Sequence, residues 1–165
     1  ATAAASSSQN QSKYEANVAS VAGKMDNRVI AAYQQLGFKL VVDPSVNYSG
    51  YFDARSRSIT MKQIDDSVYH ELGHFLAFIA GNADKTASFQ SIFAAEKANV
   101  TAFNKAYVTQ NASEYFAESV KDYILNNASL KSTRPQTYAA VQNALNQITD
   151  AQIAKIQKIY GAFWN

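Results

Sequence analysis

Apolar residues recur at helical spacing through most of this chain, and the breaks between the runs lay out its elements. Ser12 and Glu15 form a capping box, after which Tyr14, Val18, Val21, Met25, Val29 and Leu36 keep one face as far as Gly37. The pattern predicts one long first helix. A β-rich run follows at 38–42, Asp43 and Pro44 turn the chain, and a second strand is expected at Arg57, Ser58, Ile59, Thr60 and Met61. Val68, Leu72, Phe75, Leu76 and Ile79 then fall on one helical stripe that ends at Gly81.

Phe89, Ile92 and Phe93 predict a helix over 86–98, and a weaker stretch beyond it places Phe103 and Tyr107 among the core aromatics. A further helix opens near Asn111 with Phe116, Val120, Tyr123 and Ile124 inward. Thr133 with Gln136 caps a helix bearing Tyr138, Val141, Leu145 and Ile148, and Thr149 with Gln152 caps a last one ending at Gly161. No internal repeat is present. The fold class expected is α+β, mainly helical, with a small β-sheet.

Composition narrows the classes. At 165 residues and 47% apolar content the chain suits one core, taken as a single domain over 12–165. Residues 1–11 are small and polar, and are expected to be a disordered tail left after removal of a secretion signal. A net charge of +2, with no stripe of Lys and Arg among aromatics, argues against nucleic acid as a partner. No apolar run reaches the roughly twenty residues that cross a bilayer. A soluble monomer without membrane contact is therefore expected. The absence of cysteine excludes disulfides, thiol catalysis and cysteine-based metal sites.

Chemistry concentrates at His70-Glu71-Leu72-Gly73-His74, which holds both histidines of the chain. Residues four apart on a helix face the same way, so the two imidazoles can reach one zinc ion, with Glu71 beside them as general base. On a helical plot these three residues lie opposite the apolar stripe. A catalytic zinc takes a third protein ligand, and with neither cysteine nor another histidine left it must be a carboxylate. Glu114 and Glu118 share one face of the helix near Asn111, as one ligand and one outer carboxylate would; their spacing does not say which is which. A solvated acidic face with Glu118 near Lys121 or Asp122 is the plain alternative.

His70 to His74, followed by Glu114-Tyr115-Phe116-Ala117-Glu118-Ser119, resembles the catalytic domain of the anthrax lethal-factor-like metallopeptidases, and more closely the secreted bacterial Pro-Pro endopeptidases. The likeness continues through 123–126 and 130–132 to 135–138. It implies a zincin-like fold, one zinc ion held by His70, His74 and Glu114, Glu71 as general base, and Glu118 as outer partner of His74. It also implies that Tyr107, seven residues before Glu114, stabilises the oxyanion. Ala112 and Ser113 stand where Pro-Pro endopeptidases carry a proline and an acidic residue, and the loop over their cleft is shortened here to 47–53. Proline specificity is left open by these departures.

Zincin-like enzymes place an edge strand beside the cleft to pair with substrate backbone, a role that falls to Arg57, Ser58, Ile59, Thr60 and Met61; an ordinary internal strand is the equal alternative. Asn47, Asn99, Asn111 and Asn127 all stand in Asn-X-Ser/Thr acceptor sequences, and a glycan on Asn111 would crowd Glu114, which favours a bacterial source. The expectation is a secreted zinc-dependent endopeptidase acting on extended peptide or protein segments. Its rivals are a non-catalytic zincin that keeps zinc for stability or binds peptides, and a helical interaction domain with a chance motif.

Overall fold

The computed structural model describes residues 12–164, so the expected tail at 1–11 lies outside them. Among the described residues, strands β1 (Tyr14–Ala16), β2 (Lys39–Val42), β3 (Gly50–Asp53) and β4 (Ser58–Met61) form one sheet in the order β1-β2-β4-β3. β2 and β4 are parallel, and the two outer strands are antiparallel to their neighbours. Helices α1 (Val18–Val21) and α2 (Asn27–Gln35) separate β1 from β2. After the sheet come α3 (Ser67–Ile79), α4 (Ala87–Glu96), α5 (Lys105–Val108), α6 (Ala112–Leu125), α7 (Asn127–Thr133), α8 (Pro135–Asn146) and α9 (Asp150–Trp164). The architecture is α+β and mainly helical, as expected.

The long first helix does not form. Asn17 and Asp26 accept hydrogen bonds from the backbone at Ala19, Ser20 and Arg28, so each starts a new helix inside the span that periodicity read as one. Ahead of Asn17, Tyr14 to Ala16 instead pair with Val42 to Leu40 and close one side of the sheet. A strand edge needs partners for its backbone groups, and that demand outweighs a helical pattern only a few residues long.

The stripe on α3 is buried as expected: Val68, Leu72, Phe75, Leu76 and Ile79 are all 1% exposed or less. Phe75 meets Tyr33 and Phe38 edge-on, with centroids 4.9 Å away in each case, and so fastens α3 to α2 and the sheet. The Tyr33 hydroxyl accepts from Ile59 N and donates to the Lys39 carbonyl, bridging β2 and β4. Phe103 and Tyr107 are not core: Phe103 is fully exposed and Tyr107 is about half exposed. Helical spacing alone does not distinguish an aromatic in a short surface turn from one in a packed helix.

α8 also starts differently from expectation. Thr133 belongs to α7, and the α8 N-terminus is served by the buried carboxylate of Glu96, which accepts from Gln136 N, Thr137 N and Thr137 Oγ1. An acidic group from α4 thus takes the place of a local cap. Thr149 does cap α9, accepting from Gln152 N at 3.1 Å, but that helix runs through Gly161 to Trp164. Among the described residues no helix is long and apolar enough to cross a membrane. Replacing Glu96 by Ala strips three donors of their acceptor in a buried site, and should lower unfolding free energy by about 2–4 kcal/mol in denaturant titrations.

Candidate metal centre and its cleft

α3 and α6 cross at Gly73 and Ala117. A Cβ on Gly73 would lie 2.6 Å from the Ala117 carbonyl oxygen and 2.7 Å from its Cα, so only glycine permits the approach. Gly73 lies between His70 and His74, and Ala117 between Glu114 and Glu118; the contact therefore brings both pairs together across the crossing. Asn111 caps α6 by accepting from Glu114 N at 2.8 Å, which fixes the first turn that carries Glu114.

The side chains converge. Glu114 Oε1 lies 2.7 Å from His74 Nε2 and 3.6 Å from His70 Nε2, and ligand atoms of the three residues all fall within 4.8 Å of one another. Zinc bonds of about 2.1 Å in a tetrahedron put ligand atoms roughly 3.4 Å apart, so these positions suit such an ion with small adjustment. Among the described residues Glu114 Oε2 is buried without a hydrogen-bond partner, an acceptor that a cation would satisfy. Two imidazoles and a carboxylate are a donor set suited to zinc.

Glu118 is an outer carboxylate, but for the other histidine. Its Oε1 accepts from His70 Nδ1 at 2.8 Å, leaving His70 Nε2 to face Glu114; the expected pairing with His74 is not formed. The reason is helix order: α6 crosses α3 so that its later turn meets the earlier histidine. Lys121 Nζ, 3.9 Å from Glu118 Oε2, adds a distant positive charge. The imidazole–carboxylate bond holds the ring's tautomer and direction. Against His74, Phe52 stacks nearly parallel, with centroids 6.5 Å apart.

The face that bears His70 and Glu71 does not look to open solvent, for both residues are 7% exposed. β3 covers it from one side. A Cβ on Gly50 would lie 2.8 Å from Glu71 Cγ, so this glycine leaves room for the carboxylate. Burial raises the Glu71 pKa, an effect opposed by His70 and His74 and by the Phe52 backbone N–H. Burial also opposes a charge on His70, but hydrogen bonds to Glu114 and Glu118 outweigh it and raise its pKa to about 9. Glu114 is half-buried, yet its bonds to His70 and His74 hold it well below the usual carboxylate range, and the bond to His70 lowers the Glu118 pKa against the effect of burial. Burial, and then the hydrogen bond with Glu114, push the Tyr107 phenol up to about 12.

A cleft of about 420 Å³ opens here, with Glu71, His74, Glu114 and Tyr107 on its wall and β3 opposite. Tyr107 reaches the site from α5, its ring 6.5 Å from that of His70. The strand expected to border the cleft does not do so. β4 is internal, paired to β2 on one side and β3 on the other, so the backbone of Ser58, Ile59, Thr60 and Met61 is already used. Arg57 precedes that strand with φ of 53°, and its guanidinium donates to the Leu36 and Trp164 carbonyls, away from the cleft. The edge belongs to β3, a segment that the sequence presents as a loop. Its Gly50, Tyr51 and Phe52 had a weak signal in two adjacent aromatics ahead of a turn.

Two predictions follow from this geometry. Gly73→Ala forces a methyl into the α6 backbone, and should cost about 3 kcal/mol in thermal melts and weaken zinc binding at least tenfold in competition titrations. In chelator-treated protein, the stability contributed by His70 is complete below about pH 6.5 and is lost as pH rises through about 9, because its folded pKa is the higher one. The Tm followed by circular dichroism should fall by roughly 3–8 °C across that window, and much less in His70→Gln.

Comparison with known proteins bears on the same segment. Over 78 residues the chain is 41% identical to the Pro-Pro endopeptidase of Clostridioides difficile (strain 630), a stretch that is 45% of this chain and 34% of that relative. The aligned stretch thus spans about a third of the relative's length. The family model described as anthrax toxin lethal factor, N- and C-terminal domain, matches residues 54–144, more than half of the 165. That match takes in α3 and α6 with all four of the paired histidines and carboxylates, and the chain belongs to the anthrax lethal factor family.

Proposed function

We propose that this chain is a zinc-dependent endopeptidase, a zincin-like catalytic domain over 12–165 that hydrolyses bonds within extended peptide or protein segments. The observation that carries the reading is the convergence of His70, His74 and Glu114 beside a buried Glu71, at an open cleft that Glu71, His74 and Glu114 line. Family membership and the Pro-Pro endopeptidase relative support it. The same relative makes a bond between two prolines the first substrate to test, and the aromatic rings of Tyr51, Phe52 and Tyr107 along the cleft suit proline faces. The protein is further read as secreted by a bacterium, on the small polar tract at 1–11, and as acting as a monomer.

His70, His74 and Glu114 would hold the zinc. When bound, it would supply Lewis acidity that polarises a carbonyl and acidifies water at the site. Glu71 accepts a proton from the attacking water and returns it to the departing amine, and burial raises its pKa in the direction that strengthens a general base. Tyr107, with its phenol protonated up to about pH 12, donates a hydrogen bond to the carbonyl oxygen as negative charge develops there. Glu118 keeps His70 in the tautomer that turns Nε2 toward Glu114. The outer edge of β3 offers backbone groups to an extended peptide, holding it across the cleft.

Glu71→Gln should lower kcat by about 10³-fold or more while zinc content stays near one per chain by metal analysis. Undiminished cleavage of proline-pair and mixed peptides by that variant, followed by mass spectrometry, would sink the role given to Glu71.

A further inference from the structure

Asp84 lies in the 3₁₀ turn Ala83–Lys85 beyond the end of α3 and is 5% exposed. Among the described residues its carboxylate has no hydrogen-bond or ion-pair partner, yet neither oxygen is among the polar atoms sealed from solvent. It lines the same cleft as Glu71, His74 and Glu114. A carboxylate so deeply set is costly to leave unpaired, and buried charges in folded proteins are ordinarily matched. Lys85, next along the chain, is exposed at the rim and makes no ion pair with it.

The position is set by the backbone. Gly81 and Asn82 adopt left-handed φ of 73° and 58°, turning the chain at the end of α3 so that the 3₁₀ turn packs on α3, α4 and α6. Along this wall the cleft passes from His74 past Ala77 and Phe78 to Asp84. From His74 to Gly81 the helix advances roughly 10 Å, which an extended peptide covers in about three residues. A side chain hanging from that distance arrives at the carboxylate with a long, flexible stem.

We propose that Asp84 is a specificity-determining residue that pairs with a lysine or arginine side chain of the substrate, about three residues from the cleaved bond. The distance rests on the peptidase reading; the recognition of a basic side chain is tested apart from it. Burial of both partners makes the pair selective against acidic and small residues, since each alternative leaves the carboxylate unmatched.

The test uses zinc-loaded protein and peptides that differ at one position, arginine against glutamate, stepped from about two to five residues on either side of the cleaved bond. At one position arginine should raise kcat/KM at least about tenfold over glutamate, an advantage that Asp84→Asn shrinks below about twofold and Asp84→Lys reverses. Equal rates at every position, or an arginine preference that survives in Asp84→Asn, overturn the proposal while leaving the peptidase intact. If the wild type cleaves none of the peptides, the peptidase reading fails, and fluorescence anisotropy of labelled peptides with Glu71→Gln protein decides on Asp84. Tenfold tighter binding of an arginine peptide supports it, and equal affinities overturn it. Should the Asp84 variants not fold by circular dichroism, salt titration of the wild type takes their place: an arginine advantage that falls between about 50 and 500 mM NaCl supports the pairing, and a salt-independent one overturns it.

Discussion

Gly73 and Ala117 meet backbone against backbone, and the chemistry of the cleft depends on that contact. Metal bonds are about 2 Å long and tolerate errors of a few tenths of an ångström, whereas helices packed through ordinary side chains sit 8–10 Å apart with considerable scatter. By removing the side chain at the crossing point, the fold lets His70 and His74 on α3 reach Glu114 and Glu118 on α6 without long, mobile side chains. Leu72, Phe75 and Leu76 bury one flank of α3, and Phe116 and Val120 bury the matching flank of α6, so the close approach is held by packing on both helices.

The crossing gathers two imidazoles and three carboxylates into a largely dry space, which would be unfavourable if each charge stood alone. They are matched instead. Glu118 holds His70, Glu114 faces both histidines, and the Phe52 backbone reaches Glu71. Burial works against every charged group, but the hydrogen bonds win for His70, Glu114 and Glu118, while at Glu71 burial wins. The outcome separates the groups by environment: the carboxylates whose pKa is lowered lie beside the histidines that would hold a cation, and the one with a raised pKa is the group proposed to carry a proton.

Much of this was legible along the chain. The stripe on α3, its end at Gly81, the cap at Thr149 and the shared face of Glu114 and Glu118 all follow from helical periodicity and local capping, which act within a few residues. What escaped involves partners far apart in sequence. Tyr14 to Ala16 reads as helix until the open side of β2 is known to need it. Thr133 reads as a cap until Glu96, from another helix, is seen doing that work. Phe103 reads as core on hydrophobicity alone, and nothing within its own short turn records that none of the described residues covers it.

The amino-acid order by itself determined the reactive groups and their local geometry: two imidazoles one turn apart, a glutamate between them, and two carboxylates one turn apart on a later helix. Those relations are set by the fixed pitch of the α-helix and need no tertiary contact. Only the tertiary structure decided that Glu118 serves His70, that β3 and not β4 forms the edge of the cleft, and that Asp84 faces that cleft with no partner among the described residues. Each depends on how two distant segments cross or pair, and those arrangements are chosen by the packing of the whole chain around α3.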